Sequence, residues 1–369
     1  MGLLRFILAI SVVIGHSAPI FGLKLLSGYV AVEIFFIISG FYMALILETK
    51  YVGKGSYGLF ISNRFLRLYP MYWVVLLTTI AISLIYGIGY GNWLSLTPYL
   101  KWHDVMTVPA MLVQFVSNVF LFGQDIVMFM GMSPETGQLF FTKNFWDTHP
   151  QFWTFLFVPQ AWSLALEMSF YLIAPFIIRA KTTTIIGFVL LSLILRAAIY
   201  FYLGWTNDPW INRFFPAELA LFFLGMLSYR VYVKCMNWNN ALDNYGVLII
   251  PIFFLILLSY QFIPGAHIRD WLFYGFTALC LPFLFHRTRK SKMDNRIGEL
   301  SYPLYVVHVL LIAVMGQLLS KEIYSVWSGV IAVMVSVAAS LILIKYVANP
   351  VEGIREARKA KLQPQKQFV

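Results

Sequence analysis

Ten apolar runs, most of them close to 20 residues long, follow one another along this chain, separated by short polar punctuation. No other feature narrows the accessible folds as much. A bilayer interior offers no water to unpaired N–H and C=O groups, so only helices of about 20 residues or closed barrels can cross it. Runs this long and continuous specify helices. They cover approximately residues 3–21, 28–47, 70–90, 152–178, 183–203, 214–233, 245–263, 271–285, 300–319 and 326–347. The fold class expected is an all-α integral membrane protein with about ten transmembrane helices. Composition agrees, since only 12% of the 369 residues are charged and 60% are hydrophobic, about half the charged fraction of a soluble domain.

Orientation follows from the positive charges, which collect on the cytoplasmic side of short loops. With the N-terminus inside, cytoplasmic segments carry Lys50, Lys54, Arg64 and Arg67, then Arg179 and Lys181, then Arg230 and Lys234, then the cluster HRTRKSKMDNR and the tail from Arg355. Opposite loops hold only scattered cations such as Lys24, Arg213, Arg269 and Lys321. Both termini are therefore expected in the cytoplasm. The net charge of +11 is mostly this bias and suits anionic headgroups or an anionic cytosolic substrate; no basic and aromatic interleaving supports nucleic-acid binding. The first run is too long for a signal-peptide core and carries a histidine, so it reads as a retained helix. Its opening residues MGLLRF do not fit a myristoylation signal, and Cys235 and Cys280 do not suggest a structural disulfide. Residues 1–350 are expected to form one membrane domain and 351–369 a basic cytoplasmic tail. The single long connection, 91–151, is external and contains PAMLVQFVSNVFLFG, too short to span and expected to be re-entrant or interfacial.

Polar groups inside the runs carry the functional information, because a charge at the bilayer centre costs about 3 kcal/mol or more. In RFILAISVVIGH, Arg5 and His16 stand eleven residues apart, about three helical turns, on one face and roughly 16 Å apart along the axis. His16 and Glu33 both lie about five residues from the outer boundary of adjacent antiparallel helices. A carboxylate at that depth can fix the imidazole tautomer and raise its basicity. AWSLALEMSFY places Ser163, Glu167 and Tyr171 at i, i+4 and i+8, a polar stripe. LSYPLYVVH stacks Tyr302, Tyr305 and His308 at three-residue steps, and RFLRLYP pairs Arg64 with Arg67 just before the third helix. GxGxG at Gly87, Gly89 and Gly91 follows no strand and reads as a loop. No spacing around His103, His149, Asp104 and Asp147 matches a metal site, and no nucleophile elbow supports a hydrolase.

Taken together, these segments resemble the membrane acyltransferase-3 family, whose members move acyl groups from acyl-coenzyme A onto sugars and other acceptors, often at the outer face of bacterial inner membranes. Arg5 and His16 match its Arg, ten residues, His signature; GYVAVEIFFIISGFY its Gly-rich, Phe-Phe, Ser-Gly segment; RFLRLYP its paired arginines; WSLALEMSFY and LSYPLYVVH two later blocks. The family usually has Asp where Glu33 stands, and NPVEGIR is a looser match, so no role is placed on Glu352. The resemblance implies a membrane O-acyltransferase using acetyl-CoA or another acyl-CoA as co-substrate, with no metal. Arg5, Arg64 and Arg67 would hold the phosphates and His16, oriented by Glu33 and with Glu167 in the catalytic set, would act as base. Ser163, Tyr171, Tyr302, Tyr305 and His308 would line the substrate path. The implied partners are acyl-CoA from the cytoplasm, a carbohydrate or glycan acceptor such as a polysaccharide or lipopolysaccharide, the bilayer, and a second copy as a homo-oligomer, with no nucleic acid. The alternative class is a polytopic transporter or flippase of a glycan or organic anion, which an inverted repeat would favour; none is visible.

Overall fold

The computed structural model describes residues 1–236, 238 and 241–362, and these are predominantly helical. In chain order the first helices are α1 (Gly2–His16), α2 (Gly28–Thr49) and α3 (Ser56–Tyr90). The long connection then builds α4 (Thr97–Trp102), α5 (Val108–Phe120) and α6 (Gln124–Val127). It closes with an antiparallel hairpin of β1 (Met130–Met132) and β2 (Leu139–Phe141), Met130 opposite Phe141. The bundle resumes with α7 (Trp162–Ile177), α8 (Thr182–Ala197), α9 (Phe215–Cys235) and α10 (Ala241–Ser259). It ends with α11 (Ala266–Thr288), α12 (Lys292–Glu299), α13 (Ser301–Leu318), α14 (Lys321–Leu343) and α15 (Asn349–Leu362).

Each expected apolar run forms a helix. Among the described residues, seven helical stretches are long and apolar enough to cross a bilayer: 28–49, 56–90, 182–202, 241–262, 266–288, 292–318 and 321–358. Three others are not counted among them: α1 and α7 have only 15 and 16 residues, and α9 is interrupted by Glu218, Arg230 and Lys234. Three boundaries matter for the site. The first helix ends at His16, not Phe21. The third helix starts at Ser56, not Pro70, so Arg64 and Arg67 lie within it and Pro70 sits inside the helix. The fourth begins at Trp162, because residues 152–161 form two short 3₁₀ turns instead. The expected tail from 351 is helical as far as Leu362, and 363–369 fall outside the described residues.

Close packing around α2 organises the interior. A Cβ on Gly40 would overlap the Phe222 carbonyl oxygen, and one on Gly225 the Ile37 carbonyl oxygen, so the two glycines let α2 and α9 approach backbone to backbone. Small residues serve this purpose where lipid supplies no hydrophobic drive between helices. Phe36, Phe222 and Phe170 then stack across α2, α9 and α7 with centroids 4.7 and 4.2 Å apart.

The expected re-entrant segment is α5. Its last carbonyls end against α3 and away from water, where each orphan acceptor needs a donor. Three side chains of α3 supply them: Tyr72 Oη donates to Asn118 O at 2.5 Å, Trp73 Nε1 to Val119 O at 2.8 Å, and Tyr69 Oη to Phe120 O. Just beyond, half-buried Asp125 opens α6, and burial pushes its carboxyl up to about 6.

Candidate active site

A cavity of about 540 Å³ opens among α1, α2, α3, α7, α13 and α15. Arg5, Arg64 and Arg67 line it together. The sequence placed Arg5 in the first helix and the Arg64–Arg67 pair just before the third; facing one cavity, they form one cationic wall. Arg64 is 5% exposed and lies near the rings of Phe60 and Tyr171, with guanidinium-to-centroid distances of 5.7 and 5.8 Å. Its Nε has no hydrogen-bond partner among the described residues. Glu167 faces the same cavity and accepts hydrogen bonds from Ser39 Oγ at 2.6 Å and from Tyr171 Oη. The i, i+4 spacing that suggested a stripe thus becomes a bonded pair, and Ser39, in the Ser-Gly of α2, joins it. Tyr302 Oη donates to Leu68 O at 2.6 Å, tying α13 to α3.

Ser163 and Tyr305 close the far end. Their hydroxyls are 2.6 Å apart, and Tyr305 Oη lies 2.7 Å from Gln160 O, a latch joining α7 to α13. Gln160 also donates from Nε2 to Val306 O at 2.6 Å. Beyond the latch stand two imidazoles: the His308 ring is 5.9 Å from Tyr305 and 4.9 Å, edge-on, from His16. His308 is fully buried, whereas His16 is exposed on the side away from the arginines.

Both rings have their tautomers set by backbone. His16 Nδ1 is 2.9 Å from Val12 O and His308 Nδ1 2.7 Å from Tyr305 O. A carbonyl only accepts, so each Nδ1 carries the hydrogen and each neutral ring keeps its lone pair on Nε2. The His308 Nε2 has no partner among the described residues.

Glu33 does not orient His16. Its carboxylate accepts from Arg196 at 3.2 Å, and the same guanidinium holds Glu218 of α9 and lies over the Trp271 ring at 4.8 Å. His16 is the last residue of α1, whose end lies level with Gly28 at the start of α2, so Glu33 sits more than a turn deeper and its carboxylate points toward α8 and α9. Arg196 and Glu218 were passed over although both are charges within apolar runs, LILRAAIY and FFPAELAL, the signal that singled out Glu33. A second buried pair, Asp208 and Arg213 at 2.7 Å, sets the Arg213 guanidinium 4.1 Å from the centroid of Trp162 at the start of α7.

Comparison with known proteins agrees with this arrangement of segments. A family model described as "Acyltransferase domain" matches residues 1–345. An uncharacterized protein of Aquifex aeolicus (strain VF5) is 24% identical over 218 residues, 57% of this chain and 93% of its own length. "Protein 2 in picA locus" of Rhizobium radiobacter is 40% identical over 70 residues, 19% of this chain and 37% of its own. No solved structure matches the chain.

Proposed function

The chain belongs to the acyltransferase 3 family and is a multi-pass membrane acyltransferase; from that premise we propose that it moves an acetyl or other short acyl group from acyl-CoA to a hydroxyl of a carbohydrate or glycan. The observation that carries this reading is the run of groups from the three-arginine wall, past Ser163 and Tyr305, to the imidazole pair. Guanidinium forks match phosphate oxygens bidentately, so Arg5, Arg64 and Arg67 suit the phosphates of the donor nucleotide. The charge asymmetry of the loops orients that end toward the cytoplasm of a bacterial inner membrane, where acyl-CoA is made.

The pantetheine arm follows the cavity along α1 and α13 and brings the thioester toward the latch. His16, exposed on the opposite side, meets the acceptor there. Its Nε2 lone pair takes the acceptor hydroxyl proton while the oxygen attacks the thioester carbonyl; the C–S bond then breaks and the thiolate of CoA leaves, taking up a proton. Val12 O holds the tautomer that the sequence assigned to Glu33. Glu167 stands at the arginine end, bonded to Tyr171 and Ser39, and fixes the wall rather than exchanging a proton at His16. Opening of the Ser163–Tyr305 contact lets the thioester pass.

Purified protein in detergent, given acetyl-CoA with radiolabel in the acetyl group, is expected to release free CoA and label the glycan only when both substrates are present. Glycan movement across proteoliposomes without CoA release would replace the transferase reading with that of a flippase.

A further inference from the structure

Residues beyond the family match build part of the cavity. After α14 a single π turn, Ile344–Ala348, continues the helix into α15, which packs along α3; Arg358 donates to Ser62 Oγ at 2.8 Å. Asn349, Val351, Glu352 and Arg355 of α15 line the same 540 Å³ cavity as the three arginines. Arg355 is 6% exposed, and among the charges acting on it are those of Arg64 and Arg67. Its Nη1 is held by Glu352 in the same turn, while its Nε is buried and without a hydrogen-bond partner among the described residues.

That placement is unlike the structural arginines of this protein. Arg196 sits between two carboxylates and Arg213 makes a double bond to Asp208. Arg355 instead stands with other guanidiniums, and buried like charges oppose one another unless an anion is shared among them. Glu352 beside it has a side chain 48% exposed, which sets Arg355 at the mouth, whereas Arg5 stands with Arg67, Tyr42, Glu167 and Tyr171.

We propose that Arg355 is a fourth phosphate-binding arginine, carried to the cavity mouth by α15, and that it recognises the terminal phosphomonoester of the donor nucleotide, the 3′-phosphate of CoA. This rests on the acyl-CoA reading above. A phosphomonoester carries a charge of about −1.5 to −2 near neutral pH and three acceptor oxygens; it satisfies Nε and Nη of one fork at once. Arg64, Arg67 and Arg5 are left to the pyrophosphate deeper in. Glu352 holds the guanidinium in place until the phosphate displaces it.

Binding of CoA and of 3′-dephospho-CoA to the detergent-solubilised full chain, measured by titration calorimetry, tests this. Wild type is expected to prefer CoA roughly tenfold or more, the scale of a hydrogen bond to a charged group. Arg355→Ala should bind CoA only as tightly as dephospho-CoA, with dephospho-CoA affinity unchanged. Arg355→Lys, which keeps the charge and loses the fork, should retain part of the preference; it also serves where the alanine variant does not fold. A preference that survives in both variants, or equal losses for the two ligands, overturns the assignment while leaving the acyl-CoA reading intact. Wild type that binds neither ligand overturns that reading, and the inference with it.

Discussion

Replacing Arg196 by leucine is expected to be among the most damaging single changes in the bundle. The guanidinium bonds to Glu33 at 3.2 Å and to Glu218, and these carboxylates are 5% and 0% exposed. Leucine leaves both buried without a counter-charge. Breaking one buried pair in this way costs about 3–5 kcal/mol, a large share of the roughly 5–15 kcal/mol that holds a domain folded. Glu33→Gln and Glu218→Gln each remove one carboxylate and leave Arg196 paired with the other, so each should cost less, about 1.5–3 kcal/mol for the lost charge-assisted bond. The assay is fluorescence-detected size exclusion after heating, which reads the fraction still monodisperse, alongside turnover per folded molecule. The order expected is Arg196→Leu far below the two glutamine variants, with the folded glutamine variants turning over about as wild type. An Arg196→Leu protein that survives heating as well as wild type would refute the network's structural importance. Glu33→Gln that folds normally yet loses turnover on the 10²–10⁴-fold scale of a general base would refute the assignment of Glu33 to Arg196 rather than to His16.

Three further outcomes are expected. His16→Ala should lower transfer about 10²–10⁴-fold while leaving CoA affinity nearly intact, since the ring lies beyond the latch from the arginines; retained turnover would mean that His16 is not the base. Gly40→Ala should sharply lower the yield of monodisperse protein, because its Cβ overlaps the Phe222 carbonyl oxygen and separates α2 from α9; normal yield would mean the helices part freely. Asp125 is raised from 3.8 to about 6 by burial, so the folded chain holds that proton more tightly than the unfolded one, and stability should fall as pH rises from about 4 through 6. Asp125→Asn should flatten that part of a thermal-midpoint profile, and an unchanged slope would assign it to other groups.

The sequence by itself determined that this chain is a helical membrane protein and roughly where its apolar helices lie, since the bilayer allows an apolar run of this length almost no other structure. It also singled out residues that the fold brings into one cavity, Arg5, Arg64, Arg67, Glu167 and Ser163, because charge and hydroxyl groups in such runs are too costly to be incidental. Spacing along a helix gives depth and face within that helix. It does not give the angle at which one helix presents a face to another. Glu33 shows the limit: α1 ends at His16 and leaves Glu33 more than a turn deeper, and where α2 meets α9 through Gly40 and Gly225 its carboxylate faces Arg196. The pairing of His16 with His308, nearly three hundred residues apart, and the place of α15 in the cavity wall rest on the packing of α1 beside α13 and of α15 on α3. Such contacts are decided by side-chain shape and backbone approach summed over the whole bundle, and no local window of sequence contains that sum.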